Sequence, residues 1–157
     1  MKMNIEWSRP ILLKDAADEN MIYSVNLDQL TTSAGIYIFG RRWGTQFEAL
    51  YIGKAGNVRS RVRNHLNNNL RLMLHLRNAR IGRRFVLAGR FLPKPGQQIP
   101  KCLGLLERAM IRHFLSEGHD LVNVQGTQLR RHELDSSGAH PKRFFPKRIY
   151  LEKGKGE

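Results

Sequence analysis

The sequence predicts a small α/β domain, α+β in arrangement, in which helices flank an antiparallel, three-stranded sheet. Three observations lead there. A length of 157 residues suits one core with modest extensions. A glycine-bounded run of β-branched and aromatic residues occurs at 35–40, and further strand-like runs occur at 49–53 and 83–92. Between and after them, three segments space their apolar residues at helical period. Hydrophobic residues at 41% and charged residues at 25% are ordinary values for a folded domain.

Residues 1–33 hold short apolar pieces, Ile11-Leu12-Leu13 and Met21-Ile22-Tyr23, around the polar run KDAADEN. They read as an N-terminal extension packed on the domain. GIYIFG at 35–40 is the first strand, RRWGTQFE a loop, and ALYIG at 49–53 the second strand, paired antiparallel with the first. Asn57 is an N-cap for a helix to about Leu66, with Val58, Val62 and Leu66 as its buried stripe. LRLMLHLRNAR at 70–80 reads as a helix, RRFVLAGRFL as the third strand and PKPGQQIP as a loop. Residues 101–117 form the clearest helix, ended by Gly118. The main domain spans 34–126, and 127–157 is a basic C-terminal tail.

Charge gives the first functional signal. Lys and Arg number 27 against 13 acids, a net charge of +14, which favours a polyanionic partner. From Ala49 through Leu106 there is no Asp or Glu, yet twelve basic residues fall there. A solvated face normally mixes signs, so Arg59, Arg63, Arg71, Arg77, Arg83 and Arg84 are expected to meet phosphates. Lys142, Arg143, Lys147 and Arg148 extend this track into the tail, where Phe144 and Phe145 either stack on bases or pin the tail to the core. DNA is the expected partner, with RNA as the alternative. No apolar run reaches the ~20 residues of a membrane span. A single cysteine and an N-terminus without a secretory pattern predict a reducing, cytoplasmic setting.

The candidate chemistry begins on the paired strands, with Gly35-Ile36-Tyr37 and Tyr51-Ile52-Gly53. Alternation lets both tyrosine hydroxyls face one side. Arg61 and His65, four apart, share a helical face. Glu107 falls in the spacing of Leu103, Met110 and Phe114, which places a carboxylate on an apolar stripe. A charge there needs a partner, either an arginine or a metal ion. Tyrosine, with an ordinary pKa of ~10, is a poor base; a cation such as Lys54 or a bound metal would lower it.

These motifs in this order, with Lys54, Arg61, His65, Glu107 and Asn123 behind them, resemble the GIY-YIG nuclease family over about residues 34–124. The stretch YIGKAGNVRSR is similar to its excision-repair branch. The resemblance implies a metal-dependent endonuclease that leaves 5′-phosphate and 3′-hydroxyl ends on DNA. One divalent ion, Mg²⁺ or Mn²⁺, would sit on Glu107. Tyr37 or Tyr51 would activate water, with His65 as relay or replacement base. Arg61 would neutralise charge developing on the phosphate, Lys54 would assist both, and Asn123 would support the site by hydrogen bonding. A dimer is expected if both strands are cut in concert. The alternatives are a non-catalytic nucleic-acid-binding module on the same fold, a nuclease for single strands or RNA, and a basic ribosome-associated protein. The last leaves Glu107 unexplained. No GxxxxGK phosphate loop occurs. Cys102, beside Leu103, reads as a small buried residue rather than a nucleophile.

Overall fold

The structure, a computed structural model, describes residues 1–122 and 131–152. In chain order the strands and helices are β1 (Asn4–Trp7), β2 (Ile11–Leu12), β3 (Lys14–Asp15), β4 (Tyr23–Ser24), β5 (Gly35–Trp43), β6 (Gln46–Ala55), α1 (Val58–Asn68), α2 (Leu70–Asn78), β7 (Arg83–Leu92), α3 (Ile99–Ser116), β8 (Arg131–Asp135) and β9 (Arg148–Glu152). The main sheet runs β1-β7-β5-β6, with β2 also on β7, and all its pairings are antiparallel. The architecture is therefore mixed α and β, as the sequence predicts, but the sheet has five strands rather than three.

Both additional strands come from the N-terminal extension. Ile5 pairs with Phe91 and Ile11 with Val86, so residues 1–33 complete the sheet as well as pack on it. Four-residue and two-residue strands are too short to show an alternation of their own. Their pairing depends on the long edge that β7 offers.

The expected loop at 41–48 is a second correction. β5 and β6 continue through it to a two-residue turn at Gly44-Thr45, with Trp43 opposite Gln46. Polar side chains hide these strand ends in the sequence. Across the strands, Arg41 Nε meets Glu48 Oε1 at 2.9 Å, Arg41 Nη1 donates to the Ile81 carbonyl at 2.7 Å, and the guanidinium stacks over Trp43 at 3.8 Å. α3 starts at Ile99, two residues before the predicted position, because Pro100 is tolerated in a first turn.

Alternation along β5 sends Tyr37 and Phe39 to one face and Ile36 and Ile38 to the other. On the first face the stripes of α1 (Val58, Val62, Leu66) and α2 (Leu72, Met73, Leu76) close the core. On the second, α3 packs Cys102, Leu103 and Leu115 against Ile36, Ile38 and Ile52. Opposite Phe39 and Gly40 the register slips, so Leu50 is an extra residue in β6 and enters the first core beside Tyr51. The tail also departs from expectation. Its described part is a hairpin of β8 and β9, and β9 packs on α3.

Arg41 is only 6% exposed, and its loss would leave Glu48 and the Ile81 carbonyl without their cation. Arg41→Met is expected to destabilise folding by about 2–3 kcal/mol, measured by urea unfolding. An unchanged midpoint would show that the pair contributes nothing.

Candidate active site

Tyr37, Tyr51 and His65 come together beneath α1. The tyrosine rings stack at 6.1 Å between centroids, and His65 lies 5.5 Å from Tyr37 and 5.2 Å from Tyr51. All three side chains are buried. The close fit depends on Gly53, which faces Tyr37 across the strand pair. A β-carbon at Gly53 would occupy the space of the Tyr37 hydroxyl and ring. Gly35 is constrained in the same way, because a β-carbon there would strike the Gly89 carbonyl. The glycines of both tripeptides are thus demanded by packing.

A directed hydrogen-bond chain runs through the cluster. Asn69 caps α2 by accepting from the Leu72 N–H through Oδ1 at 3.1 Å. This orients its amide, so Nδ2 donates to His65 Nδ1 at 3.0 Å. Neutral His65 then carries its proton on Nε2, which donates to the Tyr37 hydroxyl at 2.7 Å. Tyr37 keeps its own proton, and the stacked Tyr51 beside it helps to hold it there. The sequence reading missed Asn69. Its signal was the capping residue at i+4 from His65, where α1 hands over to α2.

Burial sets the charge state of the cluster. It pushes the His65 imidazole down to about 4, with Arg61 acting in the same direction. Burial likewise raises Tyr37, helped by the neighbouring Tyr51 and its hydrogen bond, while Arg61 opposes. Tyr51 is raised by burial and by Glu107, whereas donation from Tyr37 and the charge of Arg61 lower it. The trio is therefore neutral near pH 7, and Arg61, exposed on α1, is the cation that acts on all three members.

Glu107 approaches from α3, half-buried and close enough that its charge is felt at both tyrosines. Burial raises its carboxyl; the Lys54 ammonium and a hydrogen bond from the Lys54 backbone N–H draw it back. Lys54 was expected to serve Tyr51. Instead it lies on the α3 face of the sheet, with Nζ 3.5 Å from where a β-carbon of Gly104 would stand, and it serves Glu107. Among the described residues, no group of three or more His, Cys, Asp or Glu side chains could hold a metal ion. Coordination at Glu107 would thus rest on one carboxylate, with oxygens of substrate and water completing it. Asn123 lies outside the described residues. Cys102 is buried, 1% exposed, beside Leu103.

The candidate phosphate contacts divide in two. Arg59 donates to the Leu30 and Asp28 carbonyls, fastening the extension to α1. Arg84 donates to the carbonyls of Leu76, Ala79, Arg77 and Gly82, closing the end of α2. Arg148 is paired with Asp135 at 2.6 Å. Each of these three has a structural task. Arg63, Arg71, Arg77, Arg83, Lys142, Arg143 and Lys147 have exposed side chains. No helix among the described residues is long and apolar enough to cross a membrane.

No protein-family model, curated protein or solved structure matches the chain.

The depressed His65 imidazole has a measurable consequence. Its ordinary value is 6.5, so between about pH 4 and 6.5 the unfolded chain binds more protons than the folded one. The stability this histidine contributes is complete above 6.5 and declines as pH falls toward 4, by at most about 3 kcal/mol. Urea unfolding across this range should give a shallower pH slope for His65→Gln than for the wild type. Parallel curves would refute the neutral, buried imidazole.

Proposed function

We propose that the protein is a metal-dependent endonuclease of the GIY-YIG type that hydrolyses phosphodiester bonds in DNA. One observation carries this reading: two stacked tyrosines, a neutral histidine hydrogen-bonded to one of them, an exposed arginine and a half-buried carboxylate come together at one end of strands β5 and β6. A structural role alone gives no reason for a carboxylate beside two tyrosines whose ionisation it opposes.

Glu107 would hold the divalent ion, magnesium or manganese, through a carboxylate whose charge Lys54 favours against the opposing effect of burial. Held by Glu107, such an ion would supply Lewis-acid chemistry for the phosphodiester. The polarity of the hydrogen-bond chain favours Tyr51 as the base. A phenolate there would take up the proton of the adjacent Tyr37 hydroxyl as a hydrogen bond, and Tyr37 in turn receives one from His65, so each donor would stabilise the charge that follows proton abstraction. Asn69 holds that polarity by keeping a donor on His65 Nδ1. Arg61, whose charge already acts on the tyrosines and His65, would offset the negative charge developing on the phosphate oxygens. The exposed cations of α1 and α2 would position the DNA backbone.

Glu107→Gln is expected to lower the single-turnover rate on plasmid DNA at least ~10²-fold while affinity and fold persist. Magnesium-dependent cleavage at the parental rate would remove Glu107 from the reaction. Arg61→Ala should cost ~10²–10³-fold in rate at saturating DNA with little change in affinity, because many other cations remain to bind phosphate. A fall in affinity alone would make Arg61 an anchor.

A further inference from the structure

The loop 136–147 between β8 and β9 carries a feature that the proposed chemistry does not use. Phe144 is 81% exposed, although its neighbour Phe145 is half-buried. The Phe145 ring lies flat on His140, with centroids 4.5 Å apart and planes 3° from parallel. Phe144 leans on Phe145 at 5.6 Å and 58°. One aromatic thus holds the loop together, and the next is braced in the solvent.

The loop is built rather than slack. The Pro141 carbonyl accepts from the Phe144 N–H at 2.9 Å and the Phe145 N–H at 3.4 Å. The neck is closed by Ser136 N–H donating to the Lys147 carbonyl at 2.7 Å and by the Arg148–Asp135 pair. β9 rests on α3, and Tyr150 packs against Gly118 just past the end of that helix. The hairpin is thereby mounted on the element that bears Glu107, and the last residue of α3 stands roughly 14 Å along its axis from that carboxylate.

Around Phe144 the exposed side chains include Lys142, Arg143 and Lys147, and the loop contains no acid. Cations beside a braced aromatic face are the combination that follows a phosphate backbone while stacking on a base. A duplex offers few free base faces, since its bases are already stacked on one another. We propose that loop 136–147 is a stacking platform for unpaired bases, with Phe144 as the stacking ring, so that the substrate carries a single-stranded segment near the cut. This rests on the nucleic-acid partner of the reading above and names its strand class. A membrane surface is the other partner that takes an aromatic among cations, but one exposed ring buries little apolar area in a bilayer interface.

The test is fluorescence anisotropy in EDTA, where metal-dependent turnover is absent, with a labelled single-stranded oligonucleotide and its blunt duplex. Phe144→Ala should weaken single-strand binding at least about fivefold, leave duplex binding within about twofold, and keep the slope of affinity against salt. Phe144→Trp should restore affinity, with its added fluorescence quenched by the oligonucleotide. The exposed position allows both variants to fold. Equal losses on both substrates, unchanged single-strand affinity, or no single-strand binding by the wild type would each overturn the platform. So would Phe144-dependent binding to anionic lipid vesicles without an effect on the oligonucleotide. Magnesium-dependent cleavage by the wild type is read separately. Intact cleavage with unchanged Phe144→Ala affinity overturns the platform alone, and absent cleavage with Phe144-dependent single-strand binding supports it.

Discussion

A hydroxyl placed in a core must be answered by another polar atom, and the Tyr37 hydroxyl, in a side chain only 1% exposed, is the point on which the structure turns. Leaving it unpaired would cost roughly 1–3 kcal/mol. Gly53 gives the ring its space, His65 gives the hydroxyl its donor, and Asn69 fixes which nitrogen of His65 can donate. Because Asn69 also ends α1 and caps α2, the corner between those helices and the protonation pattern of the cluster depend on one side chain. Packing and polarity here are a single requirement.

The distinction between what was legible in the sequence and what was not follows from the range of each interaction. β7 and the start of α1 were readable because their pattern is local: the apolar run within RRFVLAGRFL, and Asn57 accepting from the Ser60 N–H. The ends of β5 and β6 were not, because Arg41, Arg42, Glu48 and Phe47 look like loop residues until the strands are in register. β1 and β2 exist only as partners of β7. In the candidate site, the tyrosines, Arg61, His65 and Glu107 could be chosen by residue type and spacing. The allegiance of Lys54 could not, because it depends on which face of the sheet position 54 occupies, and a strand changes face with every residue.

Composition cannot separate the arginines of the acid-free stretch that hold the fold together from those left exposed. Arginine satisfies carbonyls at a helix end with several donors at once, as Arg84 does for α2, and such a residue is no longer free to meet a phosphate. What remains exposed on α1 and α2 is still of one sign, because no acid within that stretch compensates it. The positive field therefore survives the structural use of Arg59 and Arg84, with fewer residues to generate it.

The two halves of the candidate site are carried on opposite sides of the sheet, the tyrosines beneath α1 and Glu107 on α3, and they meet at the outer edge of β6. An edge strand has N–H and C=O groups that need partners. Val122 answers part of that need through its N–H to the Leu50 carbonyl, and Glu107 on α3 stands close enough to the Lys54 N–H for that group to lower its carboxyl. The requirement to cover a sheet edge thus delivers a carboxylate to the tyrosines. Two opposing influences then act on it: burial favours the neutral acid, and Lys54 favours the anion. The net shift of the Glu107 carboxyl is upward, so burial outweighs Lys54, and any further positive charge brought beside it would move the balance toward the anion.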